Sequence, residues 1–132
     1  MRFKWELANI IAFKQNIVMV IMYGITNCST VKKARNKLES NKIDYEFWDY
    51  KKQRIDESHL VRWCDCLGWQ KVLNRSGTMW RKASDESKNN VVDQTSAIEF
   101  MLSVPTSIKR PILEVGEKLL LGFDEGEYGE VV

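Results

Sequence analysis

The sequence predicts one α/β domain that opens with a strand, a helix and a second strand, continues with helices and ends in a β-hairpin. A continuous apolar run at 17–23 is typical of a strand that is buried on both faces. Apolar residues at helical spacing follow it, and a segment of alternating polarity comes next. The chain has 132 residues, of which 44% are hydrophobic and 29% are charged, so it is long enough to bury one core.

Three consecutive patterns predict the opening βαβ unit. The first strand is the segment IVMVIMY at 17–23. The first helix covers 28–40, with Thr26 or Asn27 as its N-cap. Its apolar positions are Val31, Ala34 and Leu38. The second strand covers 43–50, where apolar and acidic residues alternate; such a connection between parallel strands is almost always right-handed.

The rest of the chain is expected to be mostly helical until a final hairpin. The patterns predict a helix at 56–67, a loop at 69–82, helices at 84–89 and 94–103, and hairpin strands at 112–115 and 118–123. This order is that of a thioredoxin-like fold with a helical insertion. Because the sequence shows neither a repeat nor a linker, we predict a single domain at 19–132.

The charge balance and the cysteine content limit the classes of function. The chain carries 20 Lys+Arg against 18 Asp+Glu, a net charge of +2, which does not generate the positive field of a dedicated nucleic-acid binder. Its three cysteines cannot all pair within the chain, and a domain of this size does not need disulfides. We therefore expect a monomer in the reducing cytoplasm, with no direct nucleic-acid partner.

Residues 1–18 are expected to form an extension outside the domain. Their apolar stretch at 7–13 is short, is flanked by Glu6 and Lys14, and leads to no small-residue cleavage site. It is also well below the ~20 apolar residues that span a bilayer. We therefore predict neither a signal peptide nor a membrane contact, and favour an extension that precedes an older start at Met19 over an amphipathic anchor.

Cys28 is the strongest candidate for a reactive residue. It lies where a buried strand meets the start of a helix, and the unpaired backbone N–H groups and helix dipole favour a thiolate at such a position. Lys32, one helical turn further, adds a positive charge on the same face. These features predict a lowered pKa for the Cys28 thiol and a nucleophile near neutral pH. The alternative is a cysteine that packs as a small hydrophobe.

The residues around Cys28 favour a monothiol mechanism. The third position after the cysteine is Val31, so there is no Cys-x-x-Cys pair. Arg35 stands one position too late for the phosphate loop of the tyrosine phosphatases. A mixed disulfide or an oxyanion adduct at Cys28 therefore needs an external thiol to resolve it, and glutathione or a glutaredoxin is the expected one.

The other chemistry-bearing residues predict neither a metal nor a nucleotide cofactor. Cys64 and Cys66 point to different faces of the helix at 56–67, and we expect them to pack beside Trp63 rather than to act as resolving thiols. His59 is the only histidine, and the sequence shows no zinc-ligand spacing. No glycine-rich phosphate-binding motif is present either.

Arg110 and Pro111, just before the hairpin, form the second informative pair. A cis proline close to the cysteine-bearing helix end would create a slot for an extended peptide or for glutathione. The Arg110 guanidinium would hold a carboxylate or an oxyanion through two parallel hydrogen bonds. Arg75 and Arg81 are weaker candidates of the same kind, with solvated surface charges as the alternative.

Four segments carry a resemblance to a known family. They are YGITNCSTVKKARNKLE at 23–39, LNRSGTMWRK at 73–82, IKRPIL at 108–113 and LLLGF at 119–123. Together they resemble the ArsC/Spx family of arsenate reductase-like proteins, and within it the YffB-type branch. The resemblance implies the thioredoxin-like fold with a helical insertion. It places the family's nucleophile on Cys28, its basic first-helix positions on Lys32 and Lys33, and its Arg-Pro pair on Arg110 and Pro111.

The resemblance implies a thiol oxidoreductase that acts on a small thiol or oxyanion substrate with glutathione as the co-substrate. Arg75 is the nearest candidate for the family's central-loop arginine, and Thr30 and Lys32 are further candidate contacts for glutathione or the substrate. An arsenate reductase is one alternative, although the arginine that those enzymes carry near the last strand is replaced here by the segment Leu-Gly-Phe at 121–123. A non-catalytic regulator that binds RNA polymerase, as Spx proteins do, is the other, although Val31 breaks their Cys-x-x-Cys switch.

Overall fold

The computed structural model describes residues 18–132, so the extension predicted at 1–18 lies outside the described residues except for Val18. In this part of the chain, four strands form one mixed sheet in the order β2-β1-β3-β4. The strands are β1 (Val20–Gly24), β2 (Glu46–Asp49), β3 (Ile112–Val115) and β4 (Lys118–Leu121). β1 pairs in parallel with β2 and antiparallel with β3, and β3 pairs antiparallel with β4.

Helices connect and cover these strands. They are α1 (Ser29–Ser40), α2 (Glu57–Leu67), α3 (Trp69–Val72), α4 (Thr78–Lys82), α5 (Asp85–Asn89), α6 (Gln94–Ser103) and α7 (Glu125–Val131), with a 3-10 turn at Pro105–Ser107. α1 joins the parallel strands, α2 to α6 form an insertion before the hairpin, and α7 follows it. This order confirms the thioredoxin-like fold with a helical insertion. None of the helices described in 18–132 is long and apolar enough to cross a membrane.

The sheet separates two apolar clusters, which explains why β1 is apolar on both faces. Val20 and Met22 pack with the buried side chains of α1 and with Tyr128 of α7. Tyr23, from the opposite face of the same strand, packs with Trp63 and the rest of the insertion. Because both faces of β1 are covered by helices, the strand shows no alternation of polarity.

Two local predictions were wrong. The segment at 69–82, expected to be a loop, contains α3 and α4 on either side of a short turn. Four- and five-residue helices are too short to show a helical repeat, so the Asn, Ser and Gly between them dominated the pattern. The N-cap of α1 is neither Thr26 nor Asn27 but Cys28 itself, so the cysteine and not a polar residue before it stands at the helix start.

A close backbone approach fixes the start of α1 against β1. A Cβ atom built on Gly24 would lie 2.9 Å from Cγ2 of Val31, and Val31 is fully buried. The glycine therefore allows the first turn of α1 to pack directly on the end of the strand. This packing sets the position of the loop that carries Cys28.

Candidate functional site

Cys28 occupies the N-cap position of α1, with an extended backbone at φ −149° and ψ 123°. Its thiol is half-buried and free, and it packs at the edge of both apolar clusters. The sulfur makes no conventional side-chain cap hydrogen bond. The N–H groups of the first helical turn nevertheless lie around it, as they would around the oxygen of a serine or aspartate cap.

The electrostatics of the Cys28 thiol result from two opposing effects. Partial burial raises its pKa, because a thiolate is poorly solvated there. The backbone N–H groups of Val31 and Thr30 and the hydrogen bonding and charge of the Arg110 guanidinium lower it. These donors outweigh the burial, so the pKa of Cys28 lies below its usual value of 9.0. The site thus favours the nucleophilic form of the sulfur.

Arg110 approaches this sulfur from the start of β3. Its peptide bond to Pro111 is cis, as the sequence suggested. The Nη1 atom donates a hydrogen bond of 2.8 Å to the carbonyl oxygen of Thr106. The Nε atom is buried and has no hydrogen-bond acceptor among the described residues. The hydrogen bond to Thr106 holds the guanidinium, and thus its positive charge, next to the thiol.

Backbone hydrogen bonds hold the segment around Arg110. Lys109 donates from its N–H to the Val72 carbonyl at 2.8 Å, and Gly122 donates to the Pro111 carbonyl at 2.8 Å. The hydroxyl of buried Tyr50 donates to the Lys109 carbonyl at 3.2 Å. These contacts tie the Arg-Pro segment to α3, to the residue after β4 and to the residue after β2. Sequence reasoning missed Tyr50, which stands 59 positions from its partner and has no local signal.

The remaining predicted residues near Cys28 take up different positions. Thr30 acts on the sulfur through its backbone N–H. The side chain of Lys32 is exposed, and Lys32 is not among the groups that shift the pKa of Cys28. The positive charge expected from Lys32 is therefore supplied by Arg110. Helical spacing alone did not show this, because a long lysine side chain can turn toward solvent.

Arg75 lies in a separate cavity and not against the sulfur. This cavity has a volume of about 440 Å³. Arg75, Lys71 and Lys109 contribute its positive charges, and no acidic residue lines it. The Arg75 guanidinium carbon lies 5.7 Å from the centre of the Trp69 ring, within the range of a cation–π contact. Arg81, the other weak candidate, does not line this cavity.

The two cysteines of α2 differ in environment. Cys64 is buried and packs in the insertion-side cluster, as expected. Burial raises its pKa to about 11, with a further contribution from the Asp65 carboxylate. Cys66 is exposed and is not part of the cluster around Trp63, so the prediction that it packs beside Trp63 was wrong. Across residues 18–132, no cluster of three or more His, Cys, Asp or Glu side chains could hold a metal ion.

A polar network inside the insertion side was not anticipated from the sequence. Glu114 of β3 points toward α2, where its carboxylate accepts hydrogen bonds from Trp63 Nε1 at 3.1 Å and from Arg62. Burial, together with the nearby Glu114 carboxylate, raises the pKa of the Tyr23 hydroxyl. The strand at 112–115 was predicted from the sequence, but the partners of Glu114 on α2 lie about fifty positions away. This network anchors α2 to the sheet.

The fold and the site together define a thioredoxin-like protein with a single activated cysteine at a helix N-terminus. The chain belongs to the ArsC family, whose model matches residues 23–131. An uncharacterized protein of Haemophilus influenzae is 38% identical over 110 residues, covering 83% of this chain and 96% of the relative. The global transcriptional regulator Spx 2 of Bacillus cereus is 28% identical over 115 residues, covering 83% of each chain.

Solved structures agree with this membership. A structure named YffB protein is 47% identical, superposes with a TM-score of 0.83, and covers 86% of this chain and 98% of its own. A solution structure of an arsenate reductase (ArsC) related protein from Brucella melitensis is 46% identical with a TM-score of 0.67, covering 85% of this chain and 92% of its own. The resemblance to the ArsC family and to YffB-type proteins is thereby confirmed.

Proposed function

We propose that this protein is a monothiol reductase in which the Cys28 thiolate is the nucleophile and glutathione is the reducing co-substrate. The observation that carries the proposal is the set of donors around the sulfur. Two backbone N–H groups and the Arg110 guanidinium lower the pKa of Cys28. A thiolate at the start of a helix, half-exposed and beside a guanidinium, is suited to attack a disulfide or an oxyanion.

The reaction on a disulfide proceeds through two exchanges. The Cys28 thiolate attacks one sulfur of the substrate disulfide, so that a Cys28 mixed disulfide forms and one substrate thiolate leaves. The thiolate of glutathione then attacks the substrate sulfur of the mixed disulfide, a disulfide between glutathione and that sulfur forms, and the Cys28 thiolate leaves. In the net reaction, glutathione is oxidised to a disulfide with one substrate sulfur, and the other substrate sulfur is reduced to a thiol. The electron pair moves between sulfur atoms only, so no further redox group is required.

An external resolving thiol is supported by the positions of the other cysteines. Val31 stands where a dithiol protein carries its second cysteine, and its side chain is buried in the core. Cys64 is buried, with its pKa raised to about 11, which leaves very little thiolate at neutral pH. The buried Val31 and the protonated Cys64 thus favour glutathione, or a glutaredoxin, as the thiol that resolves the Cys28 adduct.

The neighbours of Cys28 have separate roles in this proposal. Arg110 holds the anionic part of the substrate or of glutathione, because its guanidinium carries a positive charge next to the Cys28 thiol. The cis Pro111 forms one side of the slot for the extended peptide. Thr30 contributes through its backbone N–H. Lys32, which is exposed, contributes at most a diffuse positive potential to binding.

The test is adduct formation at Cys28, followed by its release. The reduced protein is mixed with bis(2-hydroxyethyl) disulfide at pH 7, and the adduct is followed by intact mass and peptide mapping. We expect one adduct on Cys28, which disappears when glutathione is added. The Cys28→Ser variant should form none, whereas Cys66→Ser, a change at an exposed cysteine, should react as the wild type does.

A charge-removing variant tests the role of Arg110 in the same assay. Arg110→Gln should slow adduct formation at pH 7 by about tenfold, because the thiolate loses a nearby positive charge. Arg54→Gln, at an exposed arginine, is the control for the loss of one positive charge and should leave the rate unchanged. A wild-type protein that forms no adduct with any disulfide would overturn the proposed function.

A regulator that binds a protein partner is the second candidate, and the relative named Spx 2 favours it. This reading predicts a Cys28 thiol that does not react with disulfides and a stable complex with a polymerase subunit. The relative named as arsenate reductase related favours the other alternative. That reading predicts glutathione oxidation that depends on added arsenate. Arsenate dependence of glutathione oxidation therefore separates the arsenate reductase from the proposed disulfide chemistry, and the absence of a disulfide adduct at Cys28 separates the regulator.

A further inference from the structure

We infer that Tyr50 is a positioning residue that holds Arg110 against the Cys28 thiol. This role deepens the proposed function and rests on it, because it concerns the residue that activates the proposed nucleophile. Tyr50 is not among the groups that shift the pKa of Cys28. Its effect on the sulfur therefore has to pass through the residues to which it is hydrogen-bonded.

Tyr50 joins the two segments that form the site. Its backbone N–H donates to the carbonyl of Gly24 at 2.8 Å; Gly24 ends β1, and the loop after it leads to Cys28. Its hydroxyl donates to the carbonyl of Lys109 at 3.2 Å. This carbonyl belongs to the peptide unit that Lys109 forms with Arg110. Because a peptide unit is planar, the hydrogen bond fixes the plane that carries the Cα atom of Arg110.

The contact lies in the core, where water does not compete for it. Tyr50 is 5% exposed and packs in the insertion-side cluster. The same cluster contains Ile25, from the loop before Cys28, and Ile108 and Ile112, from the two sides of the Arg-Pro segment. A buried hydroxyl that loses its acceptor finds no other partner, so the hydrogen bond to the Lys109 carbonyl is maintained.

The hydroxyl of Tyr50 stays a donor when the thiol titrates. Burial raises the pKa of this hydroxyl well above its usual value of 10.0, while the Arg110 charge lowers it and Tyr23 adds to the rise. The charge of Arg110 thus acts on the Tyr50 hydroxyl and on the Cys28 thiol alike. Two contacts hold this arginine: the Thr106 carbonyl binds its guanidinium, and Tyr50 holds the peptide unit before it.

The experiment follows the alkylation of Cys28 by iodoacetamide against pH in the full chain, with peptide mapping to resolve the three thiols. Tyr50→Phe removes the hydroxyl and keeps the buried ring. The guanidinium of Arg110 is then held less firmly at the sulfur. We expect the midpoint of the Cys28 titration to rise by about half a pH unit, because part of the free energy of one hydrogen bond is lost there. The limiting rate at high pH should stay unchanged.

A double-mutant cycle shows whether Tyr50 acts through Arg110. Arg110→Gln alone should raise the Cys28 midpoint by more than Tyr50→Phe does. In the Arg110→Gln background, Tyr50→Phe should leave the midpoint unchanged, because the charge that the hydroxyl positions is absent. A shift of the same size in that background would mean that the hydroxyl acts on the loop before Cys28, and would overturn the inference.

Tyr128→Phe is the matched control. Tyr128 is also fully buried, but it packs in the cluster on the α1 side of the sheet. Its hydroxyl has no hydrogen-bond partner among the described residues, so its removal should leave the Cys28 midpoint at the wild-type value. Urea unfolding shows that each variant folds. Tyr50→Met, which also lacks a donor and fills space with a flexible side chain, is the second variant if Tyr50→Phe does not fold, and should show the same rise.

The outcomes separate this role from the proposed function. An unchanged Cys28 midpoint in a folded Tyr50 variant would overturn the positioning role, while a wild-type adduct with bis(2-hydroxyethyl) disulfide would leave the proposed function standing. Failure of every disulfide to react at Cys28 would overturn the proposed function itself. The alkylation midpoint would still decide the role of Tyr50, because iodoacetamide reacts with any accessible thiolate.

Discussion

Cys28 and Cys64 are both associated with helices of the same chain, yet their thiol pKa values move in opposite directions. Cys28 stands at the start of α1, where the N–H groups of Val31 and Thr30 and the Arg110 guanidinium outweigh its partial burial. Cys64 stands in the third turn of α2, where its backbone neighbours are already hydrogen-bonded. Burial raises its pKa to about 11, and Asp65 adds to the effect.

The difference shows that position along a helix, and not burial alone, determines what a cysteine can do. Unpaired N–H groups exist only in the first turn, so only a cysteine at or before it can use them. Arg110 reaches the same point from β3, a strand that pairs with β1. The sheet therefore brings a positive charge to one thiol and leaves the other in an apolar cluster.

The largest expected effect is the gap in reactivity between the two thiols. At pH 7 a thiol of pKa 9 is about 1% thiolate and one of pKa 11 about 0.01%, and the pKa of Cys28 lies below 9.0 while that of Cys64 is about 11. In a Cys66→Ser background, Cys28 should be alkylated at least about 100 times faster than Cys64. Peptide-resolved alkylation measures this directly. Similar rates for the two thiols would contradict the comparison.

The buried thiol should make the fold sensitive to alkaline pH. Cys64 is 2% exposed, and its pKa is about 11 when folded against the usual 9.0. The protonated thiol therefore stabilises the fold fully below pH 9, and this contribution is lost as pH rises toward 11. The expected loss of unfolding free energy is on the order of 2 kcal/mol. Urea unfolding from pH 7 to 10.5 measures it.

Cys64→Ala should remove the decline in unfolding free energy that the buried thiol causes at alkaline pH. Cys66→Ala, at an exposed site, should not. Tyr23 and Tyr128 also have pKa values raised by burial, so some alkaline loss remains in every variant. The informative quantity is the slope of the unfolding free energy against pH, compared between the wild type and the variant. Parallel curves for wild type and Cys64→Ala would show that the buried thiol is not responsible.

The position of the reactive Cys28 was largely predictable from the sequence, because it depends on patterns of residues that are close together in the chain. The buried strand, the short polar loop and the helical repeat placed Cys28 at a helix start. The boundaries of α6 and β3 agree with the prediction residue for residue, since local apolar patterns define them. Arg110 was found through the X-Pro signal and the family resemblance.

The parts that were missed depend on contacts between distant segments. The Tyr50 contact with Lys109 and the Glu114 network each join segments more than fifty positions apart. α7 was also missed, although Asp124 accepts a cap hydrogen bond from the Glu127 N–H. Its glycines reduce helix propensity, and burial of Tyr128 in the α1-side cluster compensates for it.

The position of α1 against β1 provides the next test. In Gly24→Ala, the new methyl group would lie 2.9 Å from Val31 Cγ2, and a stiff, buried valine cannot yield easily. We expect a loss of about 1.5 kcal/mol in unfolding free energy and slower alkylation of Cys28, because the Val31 N–H moves. Gly129→Ala in α7, where nothing lies within 4 Å, should instead stabilise the protein by about 0.5 kcal/mol. Equal stability of the two variants would contradict the close approach.

The smallest expected effect concerns the charge beside Cys64. The Asp65 carboxylate raises the pKa of that thiol less than burial does, and Asp65 is exposed to solvent. Asp65→Asn keeps the oxygen that accepts a hydrogen bond from Gln94 and removes only the charge. Alkylation of Cys64 at pH 9 should rise by about twofold, because exposed charges are strongly screened, while the rate at Cys28 stays constant. A tenfold rise would mean that charge, and not burial, keeps this thiol protonated.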